Sequence, residues 1–415
     1  MDSESDVMFM GLSVLSIGIL SKIRNRKNKR SRRFWVNPYL KMRLEKGRFT
    51  KDFDDMRYWT DEFTSNFHMN AEQFDELYRR IRHKLEPKRW TRADCISAKH
   101  KLAYTVEYLA GGPFFEKYGA SNYRISSTES SKILRETCQA IYEELAGTEF
   151  MEFSAKNWLG VANNFRSKWN MPNCVGAIDG KHIRIKCPPN AGSLYYNYKR
   201  YHSIILLAAC DADYRFTFID VGSPGADGDM NVFGRTKFGQ DILEDCGLLE
   251  LPPDASVNGI DIPFFFVGDD AFPLSSRIMK PYGTGSAFSN EQKNFNYRLS
   301  RARRTIENAF GLLTMRWGCL RSEFLCYPDK VKVIVGACCA LHNFLLKSSH
   351  FDHVDRIENG VFIEGEWRRL NQLDQINLPR RGRPNEIASN IRKMLTNFFA
   401  EIDVLPFQSD RAHCI

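Results

Sequence analysis

The chain has 415 residues, of which 43% are hydrophobic and 13% aromatic, and it carries a formal net charge of +9. That is enough apolar material for a sizeable core, and it excludes a wholly disordered, a collagenous or a small disulfide-stapled protein. Its 11 cysteines are scattered and odd in number, with no Cys-x-x-Cys pair or Cys/His ligand spacing, so neither a disulfide framework nor a zinc finger is supported and a reducing compartment fits best.

The stretch from Val7 to Leu20 is apolar, but Asp2, Glu4 and Asp6 precede it where a signal peptide needs positive charge. It is also shorter than the roughly 20 residues of a membrane helix, so no membrane association is expected. Lys22, Arg24, Arg26, Lys27, Lys29, Arg30, Arg32 and Arg33 follow closely on one another. Such a block reads as a nuclear-import or nucleic-acid-contacting arm, with a solvated tail as the plainer alternative. Residues 1–33 are therefore expected to be a flexible leader with a basic run.

Residues 34–150 carry helical patterns. Phe74, Leu77, Tyr78 and Ile81 recur at helical spacing, and a second helix covers Ala98 to Ala110 and stops at Gly111-Gly112. The short segment Pro113 to Gly119 follows, and then a helix begins near Ser126 with Ile133, Leu134, Cys138 and Ile141 on one face. This order suggests an all-helical domain containing a helix-turn-helix, which would bind DNA or dock a partner. Ser127, Thr128, Ser130, Ser131 and Lys132 would open its recognition helix and face bases or phosphates. An ordinary three-helix unit, in which the same residues cap and solvate a helix, is the alternative.

From Asn173 the texture changes to strands. Cys174 to Asp179 and His182 to Cys187 form two short runs around Gly180, and Ser203 to Cys210 and Arg215 to Val221 flank a hairpin turn. A helix is expected over Val232 to Leu243, and the apolar run Pro263 to Val267 reads as a strand buried on both faces. A long helical stripe then runs through Ala302, Ile306, Ala309, Phe310, Leu313 and Trp317, and a core helix spans Lys332 to Leu346. The segment 347–415 forms a C-terminal extension, in which Arg381 and Arg383 lie within an AT-hook-like Arg381-Gly382-Arg383-Pro384 ahead of a helix from Glu386 to Phe399. A plain loop is the alternative for that tetrapeptide.

Three carboxylates stand out. Asp179 and Asp269 each end a strand-like apolar run, and Glu307 lies at the edge of the long helical stripe. Two carboxylates about 5 Å apart repel by roughly 3 kcal/mol at an effective dielectric near 20, which favours a bound divalent cation. Two ions held by shared carboxylates can stabilise both the entering and the leaving oxygen of a phosphodiester, and magnesium needs only hard oxygen ligands. Asp179 would bridge, Asp269 would hold one ion, and Glu307 would complete the other.

Residues from roughly Asn173 to Leu346 resemble the nuclease domain of Harbinger-type (PIF/Harbinger) DDE transposases and the Harbinger transposase-derived nucleases. The resemblance runs through Val175-Gly176-Ala177-Ile178-Asp179-Gly180-Lys181-His182-Ile183, Val221-Gly222-Ser223-Pro224-Gly225 and Gly268-Asp269-Asp270-Ala271-Phe272-Pro273-Leu274. It continues in Ile306-Glu307-Asn308-Ala309-Phe310-Gly311-Leu312-Leu313 and Ala340-Leu341-His342-Asn343-Phe344. It implies an α/β fold, an RNase H-like mixed sheet flanked by helices over 173–346, and a DDE triad of Asp179, Asp269 and Glu307. It also implies a divalent metal, Mg²⁺ or Mn²⁺ and two ions, with DNA as substrate cut by in-line attack and strand transfer in complete members. A separate Myb-like DNA-binding protein and a homo-oligomer are the implied protein partners. Domesticated relatives keep the fold without transposing, and the competing function is a catalytically silent nuclear DNA- or chromatin-binding adaptor.

This chain has Gly228-Asp229 where a His-Asp pair is common in the family. Asp229 is thus a candidate accessory carboxylate or a loop cap, and His182 either contacts substrate or packs, while His342 reads as a core residue. Lys199, Arg200, Arg301, Arg303 and Arg304, interspersed with Tyr195, Tyr196, Tyr198, Tyr201 and Tyr297, suit phosphate contact and base stacking, or form a solvated basic face. The expected location is the nucleus, shared or not with the cytoplasm.

Overall fold

The computed structural model describes residues 34, 36–86, 95–257, 259–283, 288–347, 356–358, 361–363 and 386–405. The leader 1–33 and the Arg381 and Arg383 tetrapeptide lie outside them. Five strands form one mixed sheet: β1 (Cys174–Arg184), β2 (Ser203–Cys210), β3 (Phe216–Pro224), β4 (Phe265–Val267) and β5 (Ile278–Met279), in the order β3-β2-β1-β4-β5. β2 pairs antiparallel with both β1 and β3, while β4 is parallel to β1 and β5 to β4. β2 is buried at every position because helices cover both faces of the sheet, which is why it reads as an unbroken apolar run. The β2–β3 hairpin turns on Asp211, whose Oδ1 accepts the amides of Asp213 (2.8 Å) and Arg215 (2.9 Å).

The helices are α1 (Arg48–Tyr58), α2 (Thr60–Phe67), α3 (Ala71–Leu85), α4 (Ala98–Gly111), α5 (Pro113–Asn122), α6 (Ser127–Glu149), α7 (Ala155–Trp169), α8 (Asp229–Arg235), α9 (Lys237–Glu244), α10 (Asn290–Arg316), α11 (Pro328–Leu346) and α12 (Glu386–Glu401). Short turns Pro38–Lys41 and Arg43–Lys46 precede α1. Among the described residues, no helix is long and apolar enough to cross a membrane.

Side-chain alternation sorts the strands between two cores. Val175, Ile178, Ile205, Leu207 and Phe266 pack on one face with Trp158 of α7, Val232 and Phe233 of α8 and Phe238 and Ile242 of α9. Ala177, Leu206, Ala208 and Val267 pack on the other with Ile306 and Ala309 of α10 and Val335 and Leu341 of α11. That second core continues without a break into Phe53, Phe74, Leu102 and Ile133 of the N-terminal helices. α12 is tied in by Arg298, fully buried, which donates to the Asn170 carbonyl (3.1 Å) and to the carbonyl and carboxylate of Asp403 (2.6 Å each).

Several expectations need correction. Gly180 does not break a strand, because β1 runs through it; its missing Cβ makes room for the Asp229 carboxylate. The single helix expected over Val232 to Leu243 is two, parted at Thr236, whose hydroxyl caps the second by accepting the Gly239 amide (2.9 Å). The order α4, α5, α6 is as read, yet α6 lays Ile133, Cys138 and Ile141 into the core and packs along α11. Ser130 is buried and bonded to the Tyr104 hydroxyl (2.5 Å), so it cannot face a groove. Ser127, Thr128 and Lys132 are exposed, and Lys132 lies 3.8 Å from Glu136.

His342 is a core residue, as read, with Nε2 at 2.9 Å from the Tyr214 carbonyl. Its neighbour Asn343 carries more. Fully buried, it accepts the Phe216 amide (2.9 Å) and donates to the carbonyls of Phe216 (2.8 Å) and Glu149 (3.1 Å), joining α11, β3 and the end of α6. Asn343→Leu strands those backbone groups and is expected to lower stability by roughly 2–3 kcal/mol in urea unfolding, against little effect for a surface change such as Lys132→Ala.

Candidate active site

The last β1–β4 pair is Ala177 with Val267, in parallel register. Two residues further on stand Asp179, still within β1, and Asp269, just past the end of β4. Because side chains alternate with a period of two, both carboxylates leave the sheet on the face of Ala177, the face that α10 covers, from strands about 4.8 Å apart. α10 crosses β1, β2 and β4, buries Ile306, Ala309 and Phe310, and leaves Glu307 at its edge with its side chain 20% exposed. Asp229 begins α8, and its carboxylate lies directly against the Cα of Gly180. Four acidic side chains thus approach one another from two strands, β1 and the end of β4, and two helices, α8 and α10.

Local backbone bonds orient them. Asp179 Oδ1 accepts the Gly180 amide (2.8 Å), and Asp269 Oδ1 accepts the Ala271 amide (2.9 Å). The electrostatics record the crowding. Burial pushes the Asp179 carboxyl well above the usual carboxylate range; Asp269, Asp229 and Glu307 add to the rise and Arg303 opposes it. Burial also raises Asp269, against the Ala271 amide and Arg303. Asp229 is pushed up to about 6 by burial and by Asp269, with Lys199 opposing.

The cation among them is Arg303. It was expected on a phosphate, but Nη1 lies 2.5 Å from Glu307 Oε1 one turn along α10. Burial works against its charge, yet Glu307, Asp179 and Asp269 together raise its pKa above the ordinary arginine value. Lys181, which alternation places on the same strand face as Asp179, was missed by sequence reasoning; burial lowers it to about 8 although Asp179 opposes the fall, and its ammonium lies 5.8 Å from the Phe310 ring centre.

His182 is lowered to about 4 by burial and then by Lys199 and Lys181, so it is neutral at physiological pH, with Nδ1 2.9 Å from the Ser203 hydroxyl. Arg200 is exposed, and Lys199 and Arg304 are half-buried. Lys199 is near enough to influence both Asp229 and His182. Ser127, Thr128 and Lys132 sit on α6, a separate element.

The donor set is wholly carboxylate, which suits a hard divalent cation rather than a soft one. Among the described residues, no three His, Cys, Asp or Glu side chains converge tightly enough to grip one ion as they stand. With Arg303 drawn among them, Glu307 must part from it before it can serve as a ligand.

The family described as DDE superfamily endonuclease matches residues 178–343, a span enclosing Asp179, Asp229, Asp269 and Glu307. Residues 178–343 are a DDE superfamily endonuclease domain. The chain is related to the Harbinger transposase-derived nucleases, as its motifs implied. It is 26% identical over 275 residues to the Arabidopsis thaliana protein Antagonist of like heterochromatin protein 1, covering 65% of this chain and 66% of that one. It is 27% identical over 248 residues to the Arabidopsis thaliana Protein ALP1-like, covering 54% and 58%, and 24% identical over 263 residues to the Homo sapiens protein named Putative nuclease HARBI1, covering 62% and 69%. The match therefore spans only about two thirds of these relatives' length or less. No solved structure matches the chain.

The raised Asp229 carboxyl has a stability consequence. An acid with a folded-state pKa near 6 against 3.8 unfolded binds more protons when folded, so its contribution is present below about pH 4 and lost as pH rises through 6. Asp229→Asn, in chelator, is expected to be more stable than the wild type at pH 7.5, by about 1–3 kcal/mol, and no more stable at pH 4, as read by thermal melting at the two pH values.

Proposed function

We propose that this chain is a metal-dependent DNA endonuclease of Harbinger transposase type, with an RNase H-like core and Asp179, Asp269 and Glu307 as its DDE triad. The observation that carries the reading is the shared register and face of Asp179 and Asp269 beneath the Glu307 edge of α10, with both carboxyl groups driven upward in pKa by burial and Asp179 further by the neighbouring acids. A protein that merely bound DNA would have no use for such a concentration of repelling groups.

Mg²⁺ or Mn²⁺, as two ions, would be held by Asp179, Asp269 and Glu307 and would supply the charge stabilisation that in-line displacement at phosphorus requires. The chain's own residues do the rest. Arg303 releases Glu307 and turns its charge to the phosphate, while Lys199 and Arg200 grip the flanking backbone. Asp229, lying against Gly180, adds a further carboxylate beside Asp179. His182, neutral at physiological pH, holds the Ser203 hydroxyl and does not titrate in the working range.

Ser127, Thr128 and Lys132 on the exposed start of α6 are positioned to touch DNA outside the cut or a Myb-like partner protein. Nuclear residence, a homo-oligomer that pairs two DNA ends, and strand transfer complete the reading. A second reading, a catalytically silent nuclear adaptor, is favoured by one observation: a similar Arabidopsis protein is named for antagonising a heterochromatin protein.

Nicking assays with Mg²⁺ or Mn²⁺ decide between them. Asp179→Asn is expected to lower nicking of DNA at least 100-fold, roughly the scale of losing a major electrostatic contribution, without loss of DNA affinity. Wild-type protein that binds DNA yet never cuts it, with either metal and with a Myb-like partner supplied, establishes the adaptor reading instead.

A further inference from the structure

The loop between β1 and β2 is built to hold one aromatic ring beside the carboxylates. Its root is pinned where Gly225 comes so close that a Cβ would collide with Ser203 and the Tyr195 carbonyl, and the Gly225 amide donates to the Ser203 carbonyl (2.8 Å). Its tip is a hydrogen-bonded turn. The Asn197 amide donates to the Tyr201 carbonyl (2.9 Å), the Arg200 amide returns to the Asn197 carbonyl (3.0 Å), and Arg200 takes a φ of 65°. The Asn197 side chain, 2% exposed, donates to the Ser203 hydroxyl (2.8 Å), which also meets His182 Nδ1 (2.9 Å), three residues beyond Asp179 on β1. A buried polar chain thus fixes the turn relative to the acidic site.

Tyr198 follows directly on Asn197. Its ring is 51% exposed and meets the His182 ring edge-on at 5.3 Å. Burial of part of the side chain raises its pKa to about 12, with Asp229, Tyr201, Asp179 and Asp269 adding to the rise, which puts it within electrostatic reach of the carboxylates and keeps it neutral. Its companions lack this combination. Tyr201 is covered by the Arg184 guanidinium at 4.4 Å, and Tyr196 pairs with His202 at 5.3 Å.

A large ring held half in water on a rigid turn, flanked by Lys199 (5.7 Å from its centre) and Arg200, has the composition of a single-strand platform, in which cations follow the backbone and an aromatic face takes a base. A paired base offers no free face for stacking. We propose that Tyr198 stacks on an unpaired base next to the phosphate to be cut, so that the site takes DNA with strands parted at that position in preference to intact duplex. This deepens the nuclease reading and rests on it for the identity of the polymer.

The test uses the full chain in Ca²⁺ with oligonucleotides carrying 2-aminopurine at successive positions, as a single strand, as a duplex with a short bubble and as a perfect duplex. Wild type is expected to quench the probe in the single strand and the bubble. Tyr198→Ala is expected to lose the quenching and to weaken bubble binding about 10- to 100-fold, with duplex binding and melting temperature unchanged and with Tyr198→Phe restoring both signals. Equal quenching and affinity for Tyr198→Ala and wild type, or a wild type that binds neither parted substrate, overturns the platform. Separate Mg²⁺ reactions keep the two ideas apart. A preference for parted strands that persists unchanged in Tyr198→Ala, or cutting by the wild type with no such preference, removes the platform alone, while quenching without any cutting removes the nuclease reading alone.

Discussion

Repulsion between carboxylates, contained by a sheet, is the constraint around which this molecule is arranged. Asp179 and Asp269 cannot move apart, because each is carried two residues past a parallel β-ladder pair, and the strands beneath them are buried on both faces. α10 cannot withdraw Glu307, because Ile306, Ala309 and Phe310 hold that turn of helix in the core. What the sheet holds together, Arg303 neutralises in part, and burial, with the repulsion that remains, leaves three carboxyl groups with pKa values above the ordinary range. Such a site costs stability as folded, and a divalent cation relieves it.

The surrounding structure serves that arrangement at some distance. Arg298 fastens α12 and the end of α7 to α10, so the helix bearing Glu307 is braced at its N-terminal half, while Asn343 joins α11 to the start of β3. The N-terminal helices share the core that lies beneath α10 and α11, so their packing and the site's rigidity are one matter. Gly180 and Gly225 act in the opposite sense. Each gives up a side chain so that another group can approach, the Asp229 carboxylate in one case and the root of the β1–β2 loop in the other.

Much of this was legible in the sequence. β2 was read at its observed ends because an apolar run flanked by polar residues has few other uses, and the stripe of α10 identified its buried face. The individual acids could be singled out by their contexts, but their meeting could not be read from spacing alone, since it depends on the parallel register of β1 with β4, segments far apart in the chain. Gly180 looked like a break because a glycine's reason for being there was a carboxylate arriving from Asp229. Ser130 looked outward because the first turn of α6 is polar, whereas the direction it faces was set by Tyr104. Arg303 and Lys181 were misjudged or missed for one reason: a cation in sequence gives no sign of whether it will face solvent or a nest of acids.

The central claim is that these carboxylates form one divalent-cation site. Calorimetric titration of Mn²⁺ into the metal-free chain, in buffers of different ionisation heat near pH 6, tests it most directly. The account predicts saturable uptake with release of protons from the acids, and loss of both in Asp179→Asn. Uptake that is absent from the wild type, or unchanged in that variant, would contradict it.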